Sequence, residues 1–459
     1  MNKDALMTFD RQHLFHPVLP PHVHEEHGAL ILESAKGAYV KDIDGHELLD
    51  GFSGLWCVNA GYGHESIINA AHEQLKTLPY ATGYFHFASE PTIQLAKRLA
   101  DLAPGNLNKV YFTLGGSDAV DSAIRLIRFY FNSLGKLNKK NIIALEKGYH
   151  GSSSTGAGLT ALPVFHQKFD LPLAWQHHIP SHYPYRNGEG LSDQEIINKS
   201  VSDLKAKVEQ LGGPDHVAAF FCEPVQGSGG VIVPPTGYLK AMRDTCRELD
   251  ILFLADEVIT GFGRTGPMFA CETEGVVPDM MTVAKGLTSG YAPMGALLMG
   301  DHIYDVIADG AGNTPVGHGF TYSGHPVSAA IGLAVLDLYE SGGLLDNGQK
   351  VGNYFEQKLR GLSDHPLIGE VRTAGMLAGI ELVVDKTNKT KPSAALQVSP
   401  KMYKEGYKNG LIFRAFADDV IGFAPPLCCT VSDIDILIAR FEKTLNNVLN
   451  IEEIRNEVV

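Results

Sequence analysis

Short apolar runs alternate along this chain with stretches of helical periodicity. Lys109-Val-Tyr-Phe-Thr113 is one such run, and Gly115-Gly116 breaks it. Ala119, Val120, Ala123, Ile124 and Ile127 then recur at helical spacing, which predicts a helix over 117–131. Further predicted strands are Ile142–Leu145, Val217–Cys222, Ile251–Ala255 and Met280–Ala284. Most are continuously apolar rather than alternating, the pattern of strands covered by helices on both faces. Val327, Ala330, Ile331, Ala334, Val335 and Leu338 mark a long helix near residue 330, and Met376–Leu382 is a strand-like piece in a mixed C-terminal third. The expected fold class is α/β, a large α/β domain with a smaller α+β domain.

Three places along this pattern carry chemistry. Ile251-Leu-Phe-Leu-Ala-Asp256-Glu257 ends an apolar strand in a carboxylate, where open α/β sheets bind ligands; a helix cap or a surface acid is the ordinary alternative. Lys285 closes another apolar run, and the following residues 286–300 hold no charge and four Gly. A solvated face would carry charges, so a Lys held in a pocket, nucleophilic toward carbonyl compounds, gains over a snorkelling surface Lys. Leu114-Gly115-Gly116-Ser117-Asp118-Ala119 places small residues between a strand and a helix, which suits an anion at the helix N-terminus as well as a plain Ser117 cap. Together the three make a phosphate site, an acid and a reactive Lys on neighbouring strand ends. Pyridoxal phosphate needs that equipment.

With these residues in view the chain resembles the class-III pyridoxal-phosphate aminotransferases of fold type I. The stretches that carry the resemblance are GLWCVNAGYGH (54–64), GGSDAVDSAIRL (115–126), GYHGS (148–152), EPVQGSGGVIVPP (223–235), ILFLADEVITGFGRTG (251–266), PDMMTVAKGLTSGYAPMGA (278–296), HGFTYSGHP (318–326) and FAPPL (423–427). The resemblance implies a large cofactor-binding domain over 61–325 with a mostly parallel central sheet, and a small domain made of 1–60 and 326–459. It implies pyridoxal 5'-phosphate as cofactor, with pyridoxamine 5'-phosphate as its aminated form. Lys285 would hold the cofactor covalently and shuttle the proton, and Asp256 would keep the ring nitrogen protonated. Val258 and Tyr149 would pack on the two ring faces, Gly116 and Ser117 would cup the phosphate, and Glu223 would stand beside the cofactor. Thr321 would reach the phosphate of a neighbouring subunit, which implies a homodimer or a dimer of dimers.

Two departures narrow the resemblance. Members that handle ornithine or 4-aminobutyrate pair a Glu with an Arg at the positions that here hold Ser228 and Gly422. Ile259 stands where those members have a Gln. The pattern resembles the amine (omega) transaminases that use pyruvate as acceptor. In that branch Arg414 would bind carboxylates by swinging in, and Trp56, Tyr84, Phe85 and Tyr149 would line an apolar amine pocket. Trp56 as plain core and Arg414 paired with Asp418 or Asp419 are the bland alternatives. A diamine- or beta-alanine-specific transaminase, an aminomutase and a decarboxylase are the rival activities.

Composition trims the partners. Lys plus Arg is 38 and Asp plus Glu is 52, a formal charge of −14, which argues against nucleic acid and anionic membranes. The charge-free spans 148–167, 224–239 and 310–336 all carry Gly with Ser, Thr or Pro, so none reads as a membrane span. The start MNKDALMTFDRQ lacks an apolar signal segment, and six Cys show no C-x-x-C motif. A cytoplasmic enzyme is expected. Gly261-Phe-Gly263-Arg-Thr-Gly266 matches G-x-G-x-x-G, but four residues separate it from the strand and Pro267 follows, so a dinucleotide loop is not expected. Nineteen His invite a metal. His24-Glu-Glu-His27 is one residue short of H-E-x-x-H and is expected as a solvated loop. His177-His178 has no ligand set beside it, and no metal is expected.

Overall fold

The computed structural model describes residues 2–459. Its central sheet has seven strands in the order Lys109–Thr113, Gly295–Met299, Met280–Val283, Leu252–Asp256, Val217–Cys222, Asn141–Leu145, Gln176–Ile179. Gly295–Met299 runs antiparallel to both neighbours, and every other pairing is parallel.

The continuous apolar runs follow from cover on both faces. Phe221 and Leu254 turn to a core shared with the helices Gly116–Ser133 and Asp301–Ala311. Their neighbours Phe220 and Phe253 turn the other way, against Asp193–Gln210 and Tyr238–Glu248. Alternate side chains of one strand thus enter opposite cores, and neither face needs polar residues. Phe220, Phe221 and Phe253 are fully buried. Truncating any one to Ala costs about 3–5 kcal/mol.

Two smaller sheets join distant parts of the chain. Leu32–Lys36, Tyr39–Asp42 and Glu47–Asp50 form an antiparallel set, and Leu411–Ile412 adds in parallel at Glu47–Asp50. Ile368–Ala374, Leu377–Leu382, Val420–Phe423 and Arg414–Ala415 form an antiparallel sheet. The helix Pro326–Glu340 packs on Glu65–Thr77 and Glu90–Leu102.

Most expected elements sit within a residue or two of their predicted bounds, including the helix Gly116–Ser133. The strand Gly295–Met299 was not expected, because the Gly- and Pro-containing stretch before it hides its start. The solvated loop expected over 24–27 is corrected. Pro21–His27 is a helix with Pro at its start, and His24 is buried. Gly261–Gly266 lies in a run of turns rather than at a helix start. Among the described residues no single helix is long and apolar enough to cross a membrane.

Candidate active site

A cavity of about 320 Å³ opens at the carboxyl ends of the central strands, lined by Ser117, Tyr149, Glu223, Asp256, Val258 and Lys285 among others. Lys285 follows the strand Met280–Val283 at a backbone φ of 41°. A non-glycine residue in that left-handed region is strained, a condition that gathers at functional sites. Burial holds the Lys285 amine below its ordinary pKa, against the charges of Cys57, Asp256 and Glu223, which favour the cation. A neutral amine is the form that attacks carbonyl carbon.

Asp256 ends its strand buried at 4% exposure, and both its oxygens accept hydrogen bonds. Oδ1 accepts from Thr282 Oγ1 at 3.0 Å and from the Val258 N–H at 3.2 Å. Oδ2 lies 2.8 Å from His150 Nδ1. Burial pushes the His150 pKa down, but the hydrogen bond and charge of Asp256, with Glu223 behind, outweigh it and the net shift is upward. The backbone beneath the imidazole is held as well, since the main-chain N–H of His150 donates to Thr160 Oγ1 at 2.8 Å. Glu223 accepts the N–H groups of Tyr149 at 2.8 Å and Gly227 at 3.0 Å. Burial, aided by the Asp256 charge, raises its pKa to about 7.

The helix Gly116–Ser133 points its N-terminus into this cavity with no side chain capping it. Its first N–H groups are therefore open to an anion. A Cβ on Gly116 would sit 2.9 Å from Val258 Cγ1, so the strand end and the helix start approach this closely only with glycine there. Gly151, at φ +102°, lets its loop lie on Ser117, and the Ser152 N–H donates to Ser117 Oγ at 3.2 Å. Asp121, one turn along the same helix, draws that loop in. Its Oδ1 accepts from Ser153 Oγ at 2.8 Å, from Thr155 Oγ1 and from the Gly156 N–H at 2.9 Å.

These residues fit pyridoxal phosphate. A buried amine of lowered pKa, a carboxylate, an uncapped helix N-terminus and the side chains of Tyr149 and Val258 surround one cavity of ligand size. Not every expected site residue lies there. Trp56 is 3% exposed and packs edge-on against Phe52 at 4.6 Å. It shares an apolar cluster with Ile259 and Phe416, so it backs the cavity wall at Ile259 while its neighbour Cys57 lines the cavity. Tyr84 and Phe85 are exposed, Phe85 at 82%. They lie beside the exposed Thr321 segment, whose carbonyl accepts from Tyr80 Oη at 2.9 Å.

Arg414 stands directly across the sheet from Gly422, with its guanidinium 5.5 Å from the Phe416 ring. Asp418 pairs instead with Lys147 at 2.9 Å and Lys391 at 3.7 Å, and Asp419 accepts from Ser399. The pairing of Arg414 with either Asp is thereby excluded, and its place is a short strand, Arg414–Ala415, rather than an open loop.

Sequence reasoning assigned no role to His150 or Thr282, although both occur in the quoted motifs; no local pattern shows that each meets Asp256. It also left out Arg264. That fully buried guanidinium donates to the Pro425 carbonyl at 2.6 Å and to Asn59 Oδ1 at 2.5 Å, tying three motif segments together.

Comparison with known proteins agrees with this geometry. The profile of the aminotransferase class-III family matches residues 22–445. The chain is 41% identical over 423 residues to putrescine–pyruvate aminotransferase of Pseudomonas aeruginosa, covering 92% of this chain and 91% of that protein. It is 38% identical over 451 residues to diaminobutyrate–2-oxoglutarate transaminase of Halomonas elongata, covering 96% of both. Among solved structures, an (S)-enantioselective omega-transaminase from Thermomicrobium roseum superimposes with a TM-score of 0.94 at 38% identity, covering 98% of this chain and 99% of that one. The omega-transaminase of Pseudomonas jessenii in complex with PMP gives 0.94 at 37% identity, covering 97% and 98%. The chain belongs to the class-III aminotransferases, fold-type-I enzymes that work with pyridoxal phosphate.

Proposed function

We propose that this aminotransferase takes its amino group from a primary amine or an omega-amino acid, gives it to pyruvate, and so releases an aldehyde or ketone and alanine. The observation that carries the choice of substrates is the pair Arg414 and Gly422. Gly422 occupies the place where a fixed Arg–Glu pair would be anchored in the ornithine and 4-aminobutyrate enzymes. Arg414, its cross-strand partner, forms no ion pair among the described residues. A guanidinium without a fixed carboxylate can clamp the carboxylate of pyruvate in a bidentate way. It can also withdraw when the donor is uncharged, so that no unpaired cation stays buried. The relatives named for putrescine and diaminobutyrate support donors with a terminal primary amine.

In this reading Lys285 holds the cofactor and supplies the mobile proton. Pyridoxal phosphate, when bound, supplies the carbonyl group that takes up the amine and a ring that withdraws electrons. Lys285 Nζ, its pKa lowered by burial, would move a proton off the amine-bearing carbon of the donor in one half of the cycle and onto the acceptor carbon in the other, the bound cofactor holding it in between. Asp256, held in place by His150 and Thr282, would stabilise a positive charge on the ring nitrogen of the bound cofactor. Tyr149 and Val258 would pack against its ring. The first turn of the helix at Gly116 and Ser117 takes the phosphate. Glu223 braces the Tyr149 backbone and flanks the ring. Trp56 shapes the amine pocket from behind Ile259.

Thr321, Tyr84 and Phe85 lie on one exposed face of the chain. This supports a homodimer in which that face completes the active site of a second copy. The six free cysteines suit a cytoplasmic location.

The test is a stepwise incubation. Amine alone should discharge the visible absorbance of the holoenzyme stoichiometrically and release a carbonyl product. Pyruvate should then restore the absorbance and yield alanine. Release of carbon dioxide from an amino-acid donor would favour a decarboxylase, and failure of pyruvate to restore the colour would overturn the acceptor.

A further inference from the structure

We propose that Asp10, His16 and His24 form a binding site for a divalent transition-metal ion of the zinc type, outside the active site. Asp10 lies in the helix Lys3–His13, His24 in the helix Pro21–His27, and His16 in the segment that connects them. His16 Nε2 is 2.7 Å from Asp10 Oδ1, and His24 Nε2 is 2.7 Å from Asp10 Oδ2. The two imidazole rings meet edge to face, with centroids 4.4 Å apart. One ligand atom from each residue lies within 4.8 Å of the other two.

Convergence sets these two apart from the other histidines of the segment. Five His occur in the first 27 residues. His13, His22 and His27 are exposed, whereas the side chains of His24, Asp10 and His16 are only 7%, 10% and 24% exposed. Along the chain, His24 and His27 fall one residue short of H-E-x-x-H. The fold instead pairs His24 with His16 across the connecting segment.

The donor set selects the ion. Two imidazole nitrogens and one carboxylate suit zinc and its neighbours rather than magnesium or calcium, which take oxygen sets. Zinc bound tetrahedrally at about 2.0–2.1 Å holds its ligand atoms roughly 3.3 Å apart. The two hydrogen-bonded contacts at 2.7 Å need to open by about 0.6 Å to reach that spacing. A cavity of about 180 Å³ borders His16 and His24 and leaves room for water as a fourth ligand. The carboxylate of Asp10 offsets half of the ion's charge. Arg11 and Glu25 border the same cavity with opposite signs. Bound there, the ion would fasten the two N-terminal helices to each other, so that binding orders the segment.

Tag-free holoenzyme stripped with a chelator, then loaded with zinc chloride and desalted, should retain about one zinc per chain by elemental analysis. The His16→Ala/His24→Ala double variant should lose that zinc while keeping its cofactor absorbance and turnover. A His22→Ala/His27→Ala variant should keep the zinc. If the double variant misfolds, Asp10→Asn serves in its place, with zinc retention lowered at least about tenfold. Cobalt should give visible ligand-field bands in wild type that the double variant lacks. Absence of stoichiometric zinc in the wild type, or equal zinc in the wild type and the double variant, overturns the site.

Discussion

His150 Nδ1 donates to Asp256 Oδ2 at 2.8 Å, and both groups are buried. The pair fixes which way the carboxylate faces and leaves its charge next to the cavity. Asp256→Asn should lower turnover by at least about a hundredfold, the scale of one lost electrostatic partner. His150→Asn, which removes only the support, should cost about ten- to a hundredfold. Turnover of both variants at saturating cofactor checks the order. An Asp256→Asn variant as active as the wild type would refute it.

Lys285 closes a strand inside a cavity, and burial lowers its pKa. Borohydride reduction of the holoenzyme followed by peptide mapping should place the label on Lys285. A label on any other Lys sinks the assignment.

Asp256 and Lys285 were legible in the sequence because each interrupts an apolar strand with a charge, and such a charge is expensive unless it serves something. Their supports were not. His150 meets Asp256 across 106 residues, and Arg264 reaches Pro425 across 161. Sheet order, rather than local pattern, makes those contacts. The strand Gly295–Met299 was hidden for a related reason: its register is set by two antiparallel neighbours distant in the chain. His24 misled in the same way, since a helix start at Pro21 buries it against residues from an earlier turn.

Glu223 gives a pH dependence whose sign follows from linkage. Its pKa rises from 4.5 to about 7 on folding, through burial first. Between those values the folded state binds more protons than the unfolded chain, so stability falls as pH rises. The Glu223 contribution is therefore complete below about pH 4.5 and lost as pH passes about 7. Glu223→Gln should flatten that part of the stability profile, by an amount on the order of a few kcal/mol. Melting temperatures of the two proteins from about pH 5 to about pH 8, in the same cofactor state, check it. Parallel profiles would refute the assignment.

Asp121 gathers three donors from the loop that follows Tyr149 and His150. Asp121→Ala should loosen that loop from the phosphate helix. We expect cofactor affinity to fall by about tenfold or more, since a carboxylate hydrogen-bond set is worth about 1.5–3 kcal/mol. Titration of the apoenzyme with pyridoxal phosphate measures the change. Saturating cofactor should restore most of the turnover, which separates this role from that of Asp256.

Arg414 separates the two halves of the reaction. Its guanidinium rests over Phe416 and its backbone pairs with Gly422, with the nearby acids held by other partners. Among the described residues no carboxylate pairs with it and competes with a substrate carboxylate. Arg414→Ala should raise the KM for pyruvate by about ten- to a hundredfold, the cost of a lost charge-assisted contact. The KM for a simple alkylamine donor should stay within about twofold, because such a donor presents no carboxylate to the guanidinium. Arg414→Lys should recover only part of the loss, since an ammonium cannot clamp both oxygens in one plane. Measuring both constants for each variant decides the matter: equal losses for pyruvate and for the amine would make Arg414 a structural residue and leave the carboxylate clamp unassigned.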